Sequence, residues 1–508
     1  MARQRRLTWS RPRSQWRAIV LLAMFATLVA GCSPPFFTPP VSNPGLRPAP
    51  AGSDWLQFGF DAARSGVNPD DKALSPANVG ALTKLWQARL PDVADSSPIL
   101  LHALPFSSGP RDVLYLTTRD GRLLALDADD GALIWSQQPP GPKITNSSPV
   151  ADPARHYVYA YGLDGALHRY DPITGHEATG NGWPEPITKM NQTEKEGSAL
   201  NLANGRVYVT TGGYIGDAPP YQGHVVTIDL ASGEQRVFNS LCSNLTTLLA
   251  NGDCASQQSG IWSRGGAVID PVNSDIWADT GNGRYNANQG GYDYGDSILR
   301  LSPDGSTLLD SFTPANYQQL DDTDADLGSS APALLPRIAN SATPLLLAQA
   351  GKDGLLRLLD RHDLSGQGGP GHLNGALQTI NLGCGVYTQP AVWTNPADGA
   401  IWLFVTSGCD MRAFQARTDA SGATRLAQVW RDAGDYTSPV IAGGMLFAAG
   451  SGALRAFDPA TGRTLWGSDQ ASANGSIGSI HWESPIVVGG AVYIADENAT
   501  ITCYGLRG

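Results

Sequence analysis

The chain has 508 residues, of which only 16% are charged, while 58 are glycine and 36 are proline. This composition excludes coiled coils and long helical bundles, which need charged helix formers and few turn residues. The 13 tryptophans, 16 tyrosines and 12 phenylalanines supply ample apolar surface and exclude a disordered chain. The formal net charge is −11, and it falls to about −17 without the six arginines of the first 17 residues. Such a chain repels phosphate backbones, so nucleic acid is not an expected partner.

The N-terminal residues have the features of an export signal. The arginine-rich start leads into an apolar run over residues 18–30, which is too short for a spanning helix of about 20 residues. The run ends in Leu-Val-Ala-Gly-Cys, which resembles a bacterial lipoprotein signal with Cys32 as the acylated residue. An ordinary signal peptide with a chance cysteine is the alternative. We expect residues 1–31 to be removed and several acyl chains to anchor the protein to a membrane.

A proline-rich tether is predicted for residues 32–53. Seven of the eighteen residues from 33 to 50 are proline, and they favour an extended polyproline-like chain over packed structure. Ser33 stands where an aspartate signals inner-membrane retention in such lipoproteins. By that analogy, we expect an extracytoplasmic location on the periplasmic face of the outer membrane, where disulfides can persist.

The rest of the chain repeats one pattern eight times. Each repeat opens with Ser-Ser-Pro, or a degraded form of it, directly before an apolar strand. These signatures begin at Ser96, Ser147, Gly197, Arg264, Ser330, Thr388, Thr437 and Glu483. Most repeats then carry a strand that ends in Asp and is followed by a tight turn and Gly, as from Asp127 to Gly131. The Asp accepts hydrogen bonds from the turn amides, and the Gly takes the positive-φ position.

Each repeat contains about four short β-strands, so the sequence predicts an all-β fold. One sheet of this size cannot bury both faces, whereas eight sheets arranged radially bury one another and leave no long open edge. We predict an eight-bladed β-propeller of four-stranded antiparallel blades over residues 54–508, with two sandwiches or a solenoid as alternatives. The final run, residues 501–504, is expected to share a blade with a strand near Trp55 or Trp86 and so to close the ring. The tryptophans that follow several corners are expected to fill the gaps between blades.

Two motifs carry a resemblance to a known family. One is Trp-Leu-Gln-Phe-Gly at residues 55–59, followed by Arg-Ser-Gly at 64–66. The other is Gly-Arg-Leu-Leu-Ala-Leu-Asp at 121–127, followed by Gly-Ala-Leu-Ile-Trp at 131–135. Together they resemble the pyrroloquinoline-quinone (PQQ) repeat family over about residues 54–508. The family includes dehydrogenases and scaffolds without a cofactor, so the resemblance implies a propeller and leaves the function open.

Four segments of the later repeats stand out: Ser-Gly-Ile-Trp-Ser-Arg-Gly-Gly at 259–266, Trp-Ala-Asp-Thr-Gly-Asn-Gly at 277–283, Asp-Asp-Thr-Asp-Ala-Asp-Leu-Gly-Ser-Ser at 321–330 and Gly-Lys-Asp-Gly at 351–354. They are similar to segments of the quinoprotein alcohol dehydrogenases and the polyvinyl-alcohol-dehydrogenase-like proteins. The resemblance implies that they would form a site for PQQ and for Ca²⁺ or a similar hard cation. A planar quinone needs an aromatic floor, and a hard cation needs oxygen ligands. The implied roles are quinone stacking for Trp262, cofactor binding for Arg264, metal binding for Asn282, the catalytic base for Asp324, metal binding for Asp326, and hydrogen bonding to the quinone oxygens for Lys352.

Each of these residues also has a structural alternative. Trp262 is equally explained as a blade-packing tryptophan, and Asn282 as a turn residue that tolerates left-handed geometry. The acidic segment 321–326 is also typical of a solvated loop, or of a calcium site without catalysis. Lys352 occupies a position that is a hairpin tip in many propellers. The order and spacing of all four segments are harder to obtain by chance than any one of them.

Three departures from the quinoprotein pattern count against catalysis. The chain has no pair of adjacent cysteines, which those dehydrogenases place against the other face of the quinone. It has no glutamate where they supply a metal ligand before the Gly-x-Val-x-x-Ile-Asp strand of the third repeat, and Asp217 is a substitute at best. It also lacks a Cys-x-x-Cys-His motif, so no covalently attached haem is expected.

Five cysteines remain after Cys32. Cys242 and Cys254 enclose an eleven-residue loop and are expected to form a local disulfide. Cys384 and Cys409 flank strands of one repeat and are expected to pair, which leaves the last cysteine as a buried free thiol. A metal site at these cysteines is not expected, because the chain has only 8 histidines and none clusters with them.

Two classes of function follow. The first is a lipid-anchored quinoprotein dehydrogenase that oxidises an alcohol or a sugar. The alternative is a non-catalytic propeller that holds protein partners, similar to the barrel-assembly lipoprotein of the outer membrane. The long loop over residues 284–294, rich in Tyr, Asn and Gly, is a candidate binding surface in either case, or a solvent-exposed insertion without a ligand. In both cases we expect a monomer.

Overall fold

The computed structural model describes residues 41–42, 52–142, 144–214, 217–473 and 475–506. The predicted signal peptide, Cys32 and most of the predicted tether lie outside these residues. Among the residues that are described, no helix has the length and apolar character needed to cross a membrane.

The described chain forms eight sheets, and each sheet contains four antiparallel strands in simple up-and-down order. The predicted eight-bladed β-propeller is therefore confirmed. The strands are given from the innermost outward. Blade 1 consists of Ile99–Phe106, Gly109–Thr117, Leu123–Asp127 and Leu133–Gln137, and blade 2 of Val150–Ala151, Val158–Tyr161, Ala166–Tyr170 and Glu185–Pro186. Blade 3 consists of Asn201–Ala203, Arg206–Gly213, His224–Asp229 and Gln235–Asn239, and blade 4 of Val268–Ile269, Ile276–Asp279, Ile298–Leu301 and Leu308–Phe312. Blade 5 consists of Ala333–Leu334, Leu346–Ala350, Leu355–Asp360 and Gln378–Asn381, and blade 6 of Ala391–Thr394, Ile401–Thr406, Asp410–Thr418 and Thr424–Ala433. Blade 7 consists of Val440–Ala442, Met445–Gly450, Ala453–Phe457 and Thr464–Gly467, and blade 8 of Ile486–Val488, Ala491–Asp496, Thr500–Gly505 and Thr83–Arg89.

Short elements complete the fold. Three further strands extend blades: Val41–Ser42 lies on blade 8, Glu194–Glu196 on blade 3 and Val67–Asn68 on blade 7. The helical elements of the described chain are the α-helix Tyr317–Thr323 and the 3-10 turns Val79–Ala81, Ala287–Gln289, Leu327–Ser329 and Ala471–Ala473.

The ring closes in blade 8. Its outermost strand, Thr83–Arg89, comes from the N-terminal side and pairs antiparallel with the last strand of the chain, with Trp86 opposite Cys503. Closure near Trp86 is thus confirmed. Trp55, the other candidate, instead bridges Leu100 of blade 1. A ring joined in this way leaves only the short outer edges of its blades.

Tryptophans of the outer strands connect neighbouring blades. The indole Nε1 of Trp86 in blade 8 donates to the carbonyl oxygen of Ala128 in blade 1 at 3.0 Å, and its ring covers the corner glycine, Gly131. Trp135 and Trp430 make the same two contacts with the next blade in the ring. The prediction that these tryptophans fill the gaps between blades is confirmed. The glycine is required because a side chain would occupy the space of the indole.

Replacing Gly131 with alanine tests this contact. A Cβ atom at Gly131 would lie 2.7 Å from the Trp86 ring, at a residue with φ of 75°. Gly399 is the matched control, since it has φ of 74° and nothing within 4 Å of its Cβ position. We expect Gly131→Ala to lower the free energy of unfolding by about 2 kcal/mol more than Gly399→Ala does, as measured by chemical denaturation. Equal losses in the two variants would contradict the contact.

The segment over residues 55–68 runs past the innermost strands and holds them together. Its backbone and side chains hydrogen-bond to the innermost strands of seven blades. The contacts are to Leu100 of blade 1, Ala151 of blade 2, Leu202 of blade 3, Ile269 of blade 4, Val392 of blade 6, Ile441 of blade 7 and Val487 of blade 8. The first of the two family motifs is therefore structural. We call residues 55–68 the plug, because they fill one end of the central channel.

Arg64 is the centre of this segment. It is 1% exposed, and its guanidinium donates to four carbonyl oxygens, those of Phe58, Ala199, Leu200 and Gly265, at 2.6 to 3.1 Å. Because these carbonyls belong to the plug and to blades 3 and 4, Arg64 connects the plug to the propeller. Burial lowers its pKa to about 9.

Candidate functional site

A cavity of about 300 Å³ lies on the propeller axis. Strand ends and loops from non-adjacent parts of the sequence converge on it. Its lining consists of Asp95, Ile144, Asn146, Lys195, Gly197, Gly213, Tyr214, Asp217, Trp262, Asp326, Lys352, His481 and Trp482. A second cavity of about 420 Å³ shares Trp262, His481 and Trp482 with the first and extends toward blades 6 and 7.

The repeat pattern explains which residues reach the axis. In every repeat, a residue one to four positions before the Ser-Ser-Pro signature lines one of the two cavities. These residues are Asp95, Asn146, Lys195, Trp262, Asp326, Tyr387, Tyr436 and Trp482. The signature leads into the innermost strand, so the residue before it lies at the mouth of the channel. The sequence analysis used the signatures to count blades and missed this rule, which would have identified Lys195 and Trp482.

Three of the predicted site residues meet in the axial cavity. The Lys352 Nζ contacts Asp326 Oδ2, lies 3.0 Å from Asp324 Oδ1, and stands 5.1 Å from the centre of the Trp262 ring. Burial would lower the pKa of Lys352, but the charges and hydrogen bonds of the two carboxylates outweigh it, and the pKa is raised. Lys352 is therefore an ammonium held between an aromatic ring and two carboxylates.

The two carboxylates differ in position. The Asp324 side chain is 62% exposed and follows the helix Tyr317–Thr323 with φ of 53°. It contacts Lys352 but does not line the cavity. The Asp326 side chain is 3% exposed and forms part of the cavity wall. Of the acidic segment, Asp326 is thus the carboxylate that faces the axis.

Asn282 joins the site through its backbone. Its N–H donates to Asp326 Oδ1 at 2.5 Å, and its carbonyl accepts from the Ser259 N–H at 2.7 Å. The preceding residue is glycine because a Cβ at Gly281 would lie 2.6 Å from Asp326 Oδ1 and 3.1 Å from Trp262 Nε1. The Thr-Gly-Asn motif therefore places Asp326 against Trp262.

Arg264 lies beneath the cavity rather than in its lining. It is 1% exposed, and its guanidinium donates to the Asn146 carbonyl at 2.7 Å. The guanidinium carbon lies 5.6 Å from the ring centres of both Phe58 and Trp482. The contacts continue from Trp482 to Trp262, whose ring centres are 6.0 Å apart. Arg264 thus supports the aromatic wall of the site from below.

Lys195 is a buried cation that the sequence analysis did not single out. It is 5% exposed; its Nζ contacts Asn146 Oδ1 and lies 6.0 Å from the Tyr214 ring centre. Among the described residues, no carboxylate forms an ion pair with it. Burial lowers its pKa to about 8. A desolvated ammonium of this kind favours a negatively charged ligand in the cavity.

Asp217 lines the same cavity as Asp326 and Lys352. Its Oδ1 accepts a hydrogen bond from the Tyr221 hydroxyl at 3.1 Å. Burial raises the pKa of Asp217, and the charges of Asp326 and Asp324 raise it further. Asp217 therefore brings another carboxylate to the side of the cavity where a glutamate is missing.

Both predicted disulfides are present. Cys242 and Cys254 are bonded, as are Cys384 and Cys409, with a Cα–Cα distance of 6.1 Å in each case. Cys503 is a buried free thiol, as expected. Neither disulfide contains adjacent cysteines, so neither reproduces the paired cysteines of the quinoprotein dehydrogenases.

The long loop over residues 284–294 lies apart from the axial cavity. It borders an open polar cavity of about 550 Å³, together with Tyr317, Gln318 and Asp321. Tyr285 and Tyr317 pack with ring centres 4.8 Å apart. Its role as a binding surface stays a prediction.

Comparison with known proteins identifies the family. The family described as outer membrane protein assembly factor BamB matches residues 78–266 and 398–507, more than half of the chain. The chain belongs to this PQQ-repeat family. Two curated relatives of this PQQ-repeat propeller are quinohemoprotein alcohol dehydrogenases of Pseudomonas putida. ADH-IIG is 27% identical over 193 residues, which are 36% of this chain and 24% of the relative. ADH IIB is 25% identical over 339 residues, which are 61% of this chain and 46% of the relative. The propeller thus spans less than half of either relative.

Solved structures show the same fold. Quinohemoprotein alcohol dehydrogenase ADHIIG from Pseudomonas putida HK5 has a TM-score of 0.65 at 16% identity, over 90% of this chain and 80% of that one. The quinohemoprotein alcohol dehydrogenase of Comamonas testosteroni has a TM-score of 0.62 at 16% identity, over 91% and 81%. A europium-containing methanol dehydrogenase has a TM-score of 0.64 at 15% identity, over 90% and 98%. At these identities, the likeness of the PQQ-repeat propeller to them concerns the fold.

Proposed function

We propose that the axial cavity binds a PQQ-type quinone together with a hard cation such as Ca²⁺, and that the protein is a lipid-anchored, extracytoplasmic dehydrogenase of an alcohol or a sugar. The observation that carries the proposal is the convergence of an aromatic ring, two ammonium groups and a buried carboxylate on one axial cavity. These groups are Trp262, Lys195, Lys352 and Asp326. The lipoprotein-type sequence around Cys32 supports the location.

The lining suits the chemistry of this cofactor. PQQ is a flat tricyclic quinone with three carboxylates, so it needs an aromatic surface and cationic partners. Trp262 supplies the surface, and Lys195 supplies a buried ammonium that forms no direct ion pair among the described residues, although the charges of Glu196 and Asp95 act on it. Lys352 supplies a second ammonium beside the Trp262 ring. The cavity of about 300 Å³ shares wall residues with one of about 420 Å³, and both lie in the size range of small-molecule sites.

The chain's own groups suggest how a substrate would be handled. When bound, the quinone would supply a two-electron acceptor. Asp326, Asp217 and the side-chain amide of Asn282 would offer oxygen ligands to the cation. Asp324 would accept the proton of a substrate hydroxyl, with Lys352 holding its carboxylate in place at 3.0 Å. Phe58 of the plug and Arg264, which packs over its ring, would exclude water from the side beneath the cavity.

A non-catalytic scaffold that holds protein partners is the second candidate. One observation favours it: Lys352 already occupies both Asp324 and Asp326 and offsets one of their two negative charges, and the glutamate ligand of the dehydrogenases is missing. A weaker cation site would leave the quinone less polarised.

A titration with PQQ separates the two candidates. Purified protein with excess Ca²⁺ is expected to bind PQQ at micromolar concentration, seen as quenching of tryptophan fluorescence, and to reduce an electron-accepting dye when alcohols or sugars are added. Trp262→Ala is expected to weaken binding at least tenfold, whereas Trp262→Phe, which keeps a flat ring, should stay within about threefold of the native affinity. No binding at micromolar PQQ, or equal binding in both variants, would contradict the quinone proposal.

A further inference from the structure

A histidine and three carboxylates form a separate cluster at the junction of blades 8 and 1. The His481 Nδ1 lies 3.1 Å from both carboxylate oxygens of Asp95. Glu497, in the turn after the strand Ala491–Asp496, completes a group whose ligand atoms all lie within 4.8 Å of one another. Asp95 and His481 also line the axial cavity, so the cluster borders the proposed quinone and cation site, but it contains none of the residues proposed to hold the quinone or the cation.

A fourth residue, Glu483, is hydrogen-bonded within the cluster through only one of its two carboxylate oxygens. It is fully buried, with 0% exposure. One of its oxygens accepts the His481 backbone N–H at 2.7 Å, but its Oε1 has no hydrogen-bond partner among the described residues. The Oε1 of Glu497 is also buried without a partner there, while its other oxygen lies 3.4 Å from Arg119 Nη1. The Glu483 and Glu497 side chains lie within hydrogen-bond reach of each other, so their two Oε1 atoms lack a donor together. Two buried carboxyl groups so close together must share a proton or a cation, and a metal ion in the cluster would supply that charge.

The geometry points to a metal ion. We propose that Asp95, His481 and Glu497 bind one divalent transition-metal ion, with Zn²⁺ as the representative, and that Glu483 supports the site. Two ligands at about 2.1 Å from a tetrahedral ion lie about 3.4 Å apart, and the 3.1 Å between Asp95 and His481 is close to that separation. An imidazole nitrogen combined with carboxylate oxygens suits Zn²⁺ better than Ca²⁺.

Among the described residues, no other histidine belongs to a group of three such ligands. His168 contacts two carboxylates, but through different ring nitrogens, so the two cannot share an ion with one nitrogen. His102 contacts the carboxylate of Asp112 through Nδ1 at 2.7 Å, outside any group of three ligands found in the described chain. His102 therefore provides a matched control. An ion at the cluster would connect the first and last blades and fix Trp482, the neighbour of His481 in the cavity wall.

Zinc binding to the full chain without PQQ tests the proposal. After dialysis against a chelator, we expect one Zn²⁺ per chain at micromolar or lower Kd, measured in competition with a zinc-binding dye. His481→Ala and Asp95→Asn are each expected to weaken binding at least tenfold, and His102→Ala to leave it unchanged. The His481 side chain is 48% exposed, so its removal should leave the fold intact, which the melting temperature of the metal-free variant checks.

A second measurement keeps the test independent of the Asp95 variant's stability. Zn²⁺ is expected to raise the melting temperature of the native protein and of His102→Ala, but not that of His481→Ala. No binding below about 1 mM Zn²⁺, or equal affinity in all variants, would overturn the metal site. Because PQQ is absent, zinc binding that coincides with a failed PQQ titration would contradict only the proposed quinone function.

Discussion

Replacing Arg64 with methionine is expected to lower the free energy of unfolding by about 3–5 kcal/mol. The methionine fills most of the space but leaves four buried carbonyl oxygens without the donors that Arg64 supplies at 2.6 to 3.1 Å. It also removes the connection between the N-terminal segment and blades 3 and 4. Each buried carbonyl that loses its donor costs about 1 kcal/mol or more.

Chemical denaturation of Arg64→Met beside Arg417→Met measures this effect. Arg417 lies on the exposed side of blade 6, and its guanidinium bonds only one exposed side chain, that of Gln415. We expect the Arg417 variant to stay within about 0.5 kcal/mol of the native protein. A decrease of less than about 1 kcal/mol in the free energy of unfolding of Arg64→Met would show that the plug does not stabilise the propeller.

Replacing Lys195 with methionine is expected to weaken PQQ binding by about 10- to 100-fold, because it removes a charge-assisted bond to a ligand carboxylate inside a buried cavity. Lys195→Arg keeps the charge and is expected to retain most of the affinity. Lys189→Met is the control, since Lys189 is exposed and donates to the Leu248 carbonyl outside the cavity.

The pH dependence of PQQ binding provides a second signature of Lys195. Burial lowers its pKa to about 8, so the ammonium is present below pH 8 and is lost as the pH rises through that value. Native affinity should therefore fall between about pH 7 and pH 9, and Lys195→Met should show a flat profile across the same range. A native profile that stays flat, or a variant that keeps the native slope, would exclude Lys195 from the site.

The propeller fold was predictable because the sequence patterns that mark its blades are local and repeated. The Ser-Ser-Pro signatures and the Asp-to-Gly corners recur in register with the blades, and a corner glycine such as Gly131 is required by a contact that recurs between blades. The plug was not predictable, because three of the four partners of Arg64 are backbone carbonyls more than a hundred residues away. Such carbonyls carry no sequence signal.

The site was predictable only where a motif marks it. Trp262, Asp326 and Lys352 were identified through resemblance, and the structure brings them together. Lys195 precedes a degraded form of the Ser-Ser-Pro signature, so no recognisable motif marked it. The distinction between Asp324 and Asp326 depends on where a short helix ends, which residue spacing does not determine. The pairing of Asp95 with His481 joins opposite ends of the chain and needed the closed ring to be seen.

Quantification of bound quinone tests the central claim most directly. The protein would be incubated with PQQ and Ca²⁺, freed of unbound quinone by gel filtration and then denatured, and the released PQQ would be measured against protein concentration. The axial site predicts one PQQ per chain for the native protein and a marked loss for Trp262→Ala and Lys195→Met. Release of no PQQ from the native protein, under conditions in which a known quinoprotein retains its own, would contradict the account.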